Sequence, residues 1–220
     1  IHIKLMSNSN EKIISRSTAM RIMKDVKEII KNPLTDNGIY YTHHDNDILT
    51  GYAMIIGPSD TIYANGFYFF EFVFPINYPH SPPKLIFNTN DGMTRFNPNL
   101  YRDGKVCLSI LNTWKGEQWT ACQTIRTVLL TLITLFHNMP LTNEPGFSRN
   151  HSGNEIYNKI IAFKNYETAL VGMVSKKFLR GVFIDFFPII KKHVKEHNET
   201  IYKKLNEQVS KNKKIENVYC

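Results

Sequence analysis

Residues 67–74 read FYFFEFVF, with an aromatic ring at six of eight positions. On an extended strand successive side chains point to opposite faces. A strand with one wet face alternates apolar and polar residues, and this one does not. Both faces must therefore be covered, one by a helix and the other by a loop or a second helix. The flanking sequence supplies the rest of a sheet: YAMII and KLIF are short strand-like runs, punctuated by GPSD, ANG and the proline-dense PINYPHSPP. The spacing predicts an antiparallel meander of about four strands over residues 38–88, joined by hairpins.

Helical patterns bracket this meander. Ala19, Ile22, Met23, Val26, Ile29 and Ile30 recur three and four apart, so residues 15–31 form an amphipathic helix that Pro33 stops. Its other face carries Arg21, Lys24, Lys27 and Lys31. Thr120 and Gln123 have capping-box spacing, and Ile125, Val128, Leu129, Leu132, Ile133 and Phe136 follow on a helix expected to reach about Asn138. This helix is apolar over a wide arc and should be the central one against the sheet. Ser152 and Glu155 repeat the capping pattern, predicting a helix to about Lys177 that Arg180-Gly181 ends. Residues 182–209 read as a last basic helix or helix pair, kinked near Pro188. The fold class is α+β. The expected division is an N-terminal extension over 1–14, a core domain over 15–170 and a basic helical extension over 171–220.

Composition narrows the function classes. The 220 residues carry a formal charge of +8, concentrated late: residues 176–220 hold 11 Lys/Arg against 5 Asp/Glu. A solvated helix face is the plain reading of that tail, and nucleic acid the weaker one. Three cysteines without a CxxC pair argue against a disulfide framework or a four-cysteine zinc site and fit a reducing compartment. No apolar stretch approaches a membrane span, and the start lacks a signal-peptide core. The chain begins at Ile1 rather than Met, which suits a piece of a longer protein.

Residues 88–119 hold no clear regular element, and loops of that length inside a compact domain tend to be functional. Cys107 lies within this stretch, after an Asp103-Gly104 turn. Local sequence reads it as a small buried hydrophobe. No histidine stands near enough in sequence to suggest a catalytic pair, and no ligand spacing suggests a metal.

Ordered motifs reverse that reading. Gly57-Pro58-x-x-Thr61-x-Tyr63-x-x-Gly66-Phe67, then Tyr78-Pro79-x-x-Pro82-Pro83, then Pro98-Asn99, Gly104-Lys105-Val106-Cys107-Leu108 and Trp119 stand in sequence. In that order they resemble the ubiquitin-conjugating enzymes over roughly residues 15–170. FNPN, YRDGKVCLSILNTW and NEPGF, with the helical region after residue 154, are most similar to the Z-type branch. The resemblance implies the conjugating-enzyme fold: a four-stranded meander, an N-terminal helix, a central helix after the active-site loop, and C-terminal helices.

It also implies a chemistry. Cys107 would take ubiquitin, or a ubiquitin-like protein, from an activating enzyme as a thioester and pass it to a substrate lysine or a ligase cysteine. Asn99 would hydrogen-bond the oxyanion of lysine attack or brace the loop that does. Glu144 would attract the incoming ammonium and lower the lysine pKa by desolvation. Asn97 stands where the family usually has a supporting histidine, and Ser109 where an aspartate is common, close to the cysteine. No bound cofactor is implied, because ATP is consumed upstream by the activating enzyme. Arg21, Lys24 and Lys27 sit where relatives meet that enzyme; His80, Ala121 and Cys122 sit where ligases grip, with Cys122 expected to be a partly buried loop residue. The implied protein is a monomer of cytoplasm or nucleus, with no membrane partner. The competing reading is an inactive scaffold that keeps the fold and binds ubiquitin or ligases.

Overall fold

A computed structural model describes residues 2–4 and 13–212. Strand β1 (His2–Lys4) pairs antiparallel with β2 (Ile13–Ser15), which runs straight into helix α1 (Arg16–Lys31). Ser15 caps α1, its hydroxyl accepting from the Thr18 amide at 3.0 Å, which satisfies one of the orphan donors of the first turn. The four-stranded meander follows: β3 (Ile39–His43), β4 (Thr50–Ile56), β5 (Phe67–Val73) and β6 (Lys84–Phe87), in that spatial order and antiparallel throughout. Beyond it come α2 (Ile125–Ile133), α3 (Gly153–Lys164), a π-helical stretch Asn165–Val171, the single turn α4 (Gly172–Val174), α5 (Phe187–Glu196) and α6 (Asn198–Asn212).

β5 does what its sequence requires. Tyr68, Phe70 and Phe72 enter one apolar cluster with Ile22 and Ile29 of α1 and Val128, Leu129 and Leu132 of α2. Phe67 and Phe69 enter a second, with Met54, Leu170, Met173, Phe183, Phe186 and Ile190. Register makes the two faces consistent across strands: Ile55 opposes Tyr68 in the first cluster, and Met54 opposes Phe69 in the second. The cover on the second face is the C-terminal region, which crosses residue 170 without a break in packing. The Phe69 ring lies 5.0 Å from that of Phe183 and 5.9 Å from that of Phe186. Deleting such a buried ring costs about 3–5 kcal/mol, so the basic tail is fastened by its apolar side and shows its lysines outward.

The two glycines of the hairpin motif are close-approach residues. The Gly57 amide donates to Gly66 O at 2.8 Å. A Cβ at Gly57 would fall 1.8 Å from Tyr63 O, and one at Gly66 would fall 2.0 Å from Asn165 Oδ1. Asn165, fully buried, accepts the Tyr68 hydroxyl and donates to Ala64 O at 2.9 Å, joining the π-helical stretch to this hairpin.

Helix boundaries depart from expectation where side chains elsewhere take the backbone groups. Thr120 and Gln123 make only a turn, and α2 starts later, in a capping box of Thr124 and Thr127. Arg21 donates to Ala121 O and Gln123 O, at 2.6 and 2.5 Å, using carbonyls that an earlier helix start would need. α2 ends at Ile133 rather than near Asn138, because Leu135 and Phe136 turn into the core and Leu135 O accepts from Asn97. Ser152 makes no capping hydrogen bond, and Glu155 pairs with Lys159 instead. The run it opens ends at Val174, short of Lys177, where Lys176 takes φ +61°. Pro188 kinks nothing: it sits in the first turn of α5, where its missing N–H has no partner to lose, and the break falls at His197.

Candidate active site

The loop from Asn97 to Leu111 is built as a short hairpin laid against β6. Tyr101 N donates to Lys105 O at 2.9 Å, Leu100 bridges Val106, and Lys105 bridges Ile86. Gly104, at φ +88°, turns the chain and offers its carbonyl to the Phe87 amide at 2.8 Å. Asn99 and Cys107 face each other across this hairpin. The Cys107 amide donates to Asn99 O at 2.9 Å, and the Asn99 side-chain Nδ2 donates to Cys107 O at 2.7 Å. In this arrangement the carboxamide acts as a brace on the cysteine's own backbone. Its Oδ1 is buried with no partner among the described residues.

Asn97 lies beneath, fully buried. Its Nδ2 donates to Leu135 O at 2.9 Å and, more loosely, to the Tyr63 hydroxyl at 3.3 Å. Its Oδ1 accepts from the Asn99 amide at 3.0 Å and from Asn143 Nδ2 at 3.3 Å. The amide thus ties the end of α2, the hairpin and the loop before Glu144 together, which a residue with both a donor and an acceptor can do. Tyr63 donates to Phe96 O at 2.8 Å, and burial pushes its phenol well above the ordinary range, so it stays a donor.

Thr113 holds the cysteine from the other side. Its hydroxyl accepts from the Leu108 amide at 2.9 Å and lies 3.0 Å from Val106 O, gripping both neighbours of Cys107. Nothing in the sequence pattern singled it out. Ser109 is half-buried against Gly116, close after the thiol. Cys107 itself is 1% exposed, so the thiol lies under cover in this conformation.

Glu144 follows the 3₁₀ turn Pro140–Asn143 and forms an ion pair with Arg95, Nη2 to Oε2 at 3.1 Å. Arg21 is tied inward by Asp25 at 3.0 Å and by the two carbonyls already named, while Lys24 and Lys27 are exposed. His80, Ala121 and Cys122 are all exposed, correcting the expectation of a partly buried Cys122: Arg21 holds its turn by the carbonyls on either side, not by the thiol. Trp119 joins their two loops, its indole N–H donating to Pro79 O at 2.7 Å. Among the described residues no group of three or more His, Cys, Asp or Glu is placed to hold a metal ion.

The family model described as "Ubiquitin-conjugating enzyme" matches residues 21–165. The chain belongs to the ubiquitin-conjugating enzyme family. It is 39% identical over 166 residues to ubiquitin-conjugating enzyme E2 Z of Xenopus tropicalis, covering 74% of this chain and 52% of that protein. Human E2 Z is 38% identical over 180 residues, covering 76% of this chain and 50% of its own. The human dual E2 ubiquitin-conjugating enzyme/E3 ubiquitin-protein ligase BIRC6 is 38% identical over 156 residues, 67% of this chain but 3% of that protein. The likeness to the Z-type branch read from the motifs is borne out. The chain spans about half the length of the E2 Z relatives it matches. As a member of this conjugating-enzyme family, it carries the antiparallel meander and flanking helices expected of the fold.

Proposed function

We propose that this protein carries ubiquitin or a ubiquitin-like modifier as a thioester on Cys107. The observation that carries the reading is the reciprocal pair of hydrogen bonds between Asn99 and Cys107, at 2.9 and 2.7 Å, inside the family's active-site stretch. Cys107 Sγ attacks the carbonyl of the modifier bound to the activating enzyme. A new C–S bond forms, and the activating enzyme's cysteine leaves as a thiol. A substrate amine then attacks the same carbonyl, the C–S bond breaks, and the thiol of Cys107 is restored with a proton from the amine. A ligase cysteine can take the acyl group by a further thiol exchange.

Asn99 and Asn97 keep the cysteine's backbone rigid through these steps, and Glu144 orients the incoming lysine. Because Cys107 is 1% exposed, the covering side chains must move aside as the modifier tail arrives. The transfer calls for no bound cofactor, since ATP is used upstream. Lys24 and Lys27 supply a cationic surface for an activating enzyme, and the exposed His80, Ala121 and Cys122 a surface for ligases. No helix among the described residues is long and apolar enough to cross a membrane. Cysteine usage suits cytoplasm or nucleus, and a monomer is sufficient for the chemistry.

The test is a charging reaction with ATP, ubiquitin and ubiquitin-like modifiers, and a panel of activating enzymes, read on non-reducing gels. A thiol-sensitive adduct is expected, thiol-resistant in Cys107→Ser and absent in Cys107→Ala. No adduct with any pair would favour the scaffold reading.

A further inference from the structure

Arg95 plays no part in the chemistry above, yet it touches both the Asn99 turn and Glu144. Its Nη2 donates to Pro98 O, one residue before Asn99, and pairs with Glu144 Oε2 at 3.1 Å. Its guanidinium lies over the Tyr101 ring, 4.0 Å from the centroid. The Tyr157 hydroxyl of α3 donates to Arg95 O at 2.9 Å, and burial pushes that phenol above its ordinary range, so the donor persists. Arg95 Nε is buried without an acceptor among the described residues. An orphan buried donor calls for a reason. Here it is that the guanidinium is placed for the three groups it reaches at once, rather than for its own full satisfaction.

We infer that Arg95 is a positioning residue for lysine attack, holding the Asn99 turn and Glu144 in one fixed relation to Cys107. The inference deepens the conjugating reading and rests on it. Charge-assisted bonds are the strong ones, and a planar cation stacked on a ring is fixed in orientation as well as position. The two acceptors come from different segments, residues 97–101 and the loop after Pro140–Asn143. Without the cation both would relax, and Glu144 would lose its matched charge. Capture of the modifier asks less of this arrangement, because thiol exchange involves no ammonium and leaves Glu144 without a task. The aminolysis step therefore bears the loss.

The experiment uses the full chain as wild type, Arg95→Met, Arg95→Lys and Glu144→Gln, each checked by thermal melting. Charging is followed in single turnover, and the isolated thioester is then discharged by free lysine at varied concentration. Arg95→Met should charge within about twofold of wild type and discharge on the order of 10- to 100-fold more slowly, the scale of a small misplacement of reacting groups. Arg95→Lys keeps the charge but not the stacked planar fork, and should recover part of that loss. In the Glu144→Gln background the Arg95→Met effect should shrink. Parallel losses in charging and discharge, an unchanged discharge, or a lysine variant as slow as the methionine one would each overturn the inference. A readout free of turnover runs beside these: hydrogen exchange at the Leu100 and Cys107 amides, which donate to Asn97 O and Asn99 O, should quicken in Arg95→Met. Unchanged exchange also overturns it. Failure of the wild type to charge strikes the conjugating reading instead, and the exchange result still decides whether Arg95 holds the loop.

Discussion

Replacing Asn97 by alanine takes a partner from four groups; Leu135 O keeps the His137 amide and the Tyr63 hydroxyl keeps Phe96 O, but the buried Asn99 amide loses the acceptor that holds it. Two of its bonds are short, to Leu135 O at 2.9 Å and from the Asn99 amide at 3.0 Å; two are looser, both 3.3 Å. The residue is fully buried, so water does not readily replace the amide. A buried polar group left unpaired costs about 1–3 kcal/mol. The Asn99 amide bears that cost, and Leu135 O, still bonded to the His137 amide, loses one ordinary bond of about 0.5–1.5 kcal/mol, which together give about 2–4 kcal/mol. That is a large fraction of the 5–15 kcal/mol that typically holds a domain together. The assay is urea unfolding of wild type and Asn97→Ala, followed by tryptophan fluorescence, with equal slopes required before midpoints are compared. Asn97→His supplies the internal control. An imidazole can donate to Leu135 O from one nitrogen and accept from the Asn99 amide at the other, so it should lose less than half as much. A loss below about 0.5 kcal/mol for alanine would refute the reasoning, as would a histidine variant weaker than the alanine one.

Thr113→Val keeps the shape and removes the hydroxyl that holds both flanks of Cys107; stability should fall by about 1–2 kcal/mol and charging of Cys107 should slow, while Thr113→Ser retains both, as unfolding curves and single-turnover gels would show. His193 offers a pH test of how the C-terminal helices dock. Burial, then its stacked neighbour His197, pulls its pKa down to about 4, against a weaker opposing pull from Glu196. The folded state therefore holds the neutral ring, hydrogen-bonded to Asn65 Oδ1 at 2.9 Å and edge-on to Phe67. The unfolded chain takes up a proton below its ordinary value near 6.5. Stability is complete above about pH 6.5 and declines as pH falls toward 4, by on the order of 1 kcal/mol once the half-exposed ring is discounted for solvent. A His193→Gln variant, compared by thermal melting between pH 4 and 8, should lack this component; an identical pH slope would refute it.

The fold was legible in the sequence because its dominant signal is local. An aromatic run with no polar face demands cover on both sides, and the period-2 alternation then sorts Tyr68, Phe70 and Phe72 from Phe67 and Phe69 without reference to anything distant. The cysteine's loop was legible for a different reason: its motifs stand in a fixed order that chance does not produce, whereas its local chemistry alone reads as an inert thiol. Boundaries were less legible. Thr120 has the right neighbour for a cap, but Arg21, a hundred residues earlier, takes the carbonyls that would have extended the helix.

What only the tertiary structure decided is how the loop is held. Arg95 shows nothing in sequence beyond an arginine, and Thr113 and Tyr63 only a place within longer motifs, because their roles come from partners up to 62 residues away, as with Arg95 and Tyr157. Residue types and their spacing determined that a thiol would stand in a long, braced loop beside a two-faced sheet. The brace itself depends on carbonyls and amides from separate segments meeting within 3 Å, and that juxtaposition exists only once the chain has closed around its core.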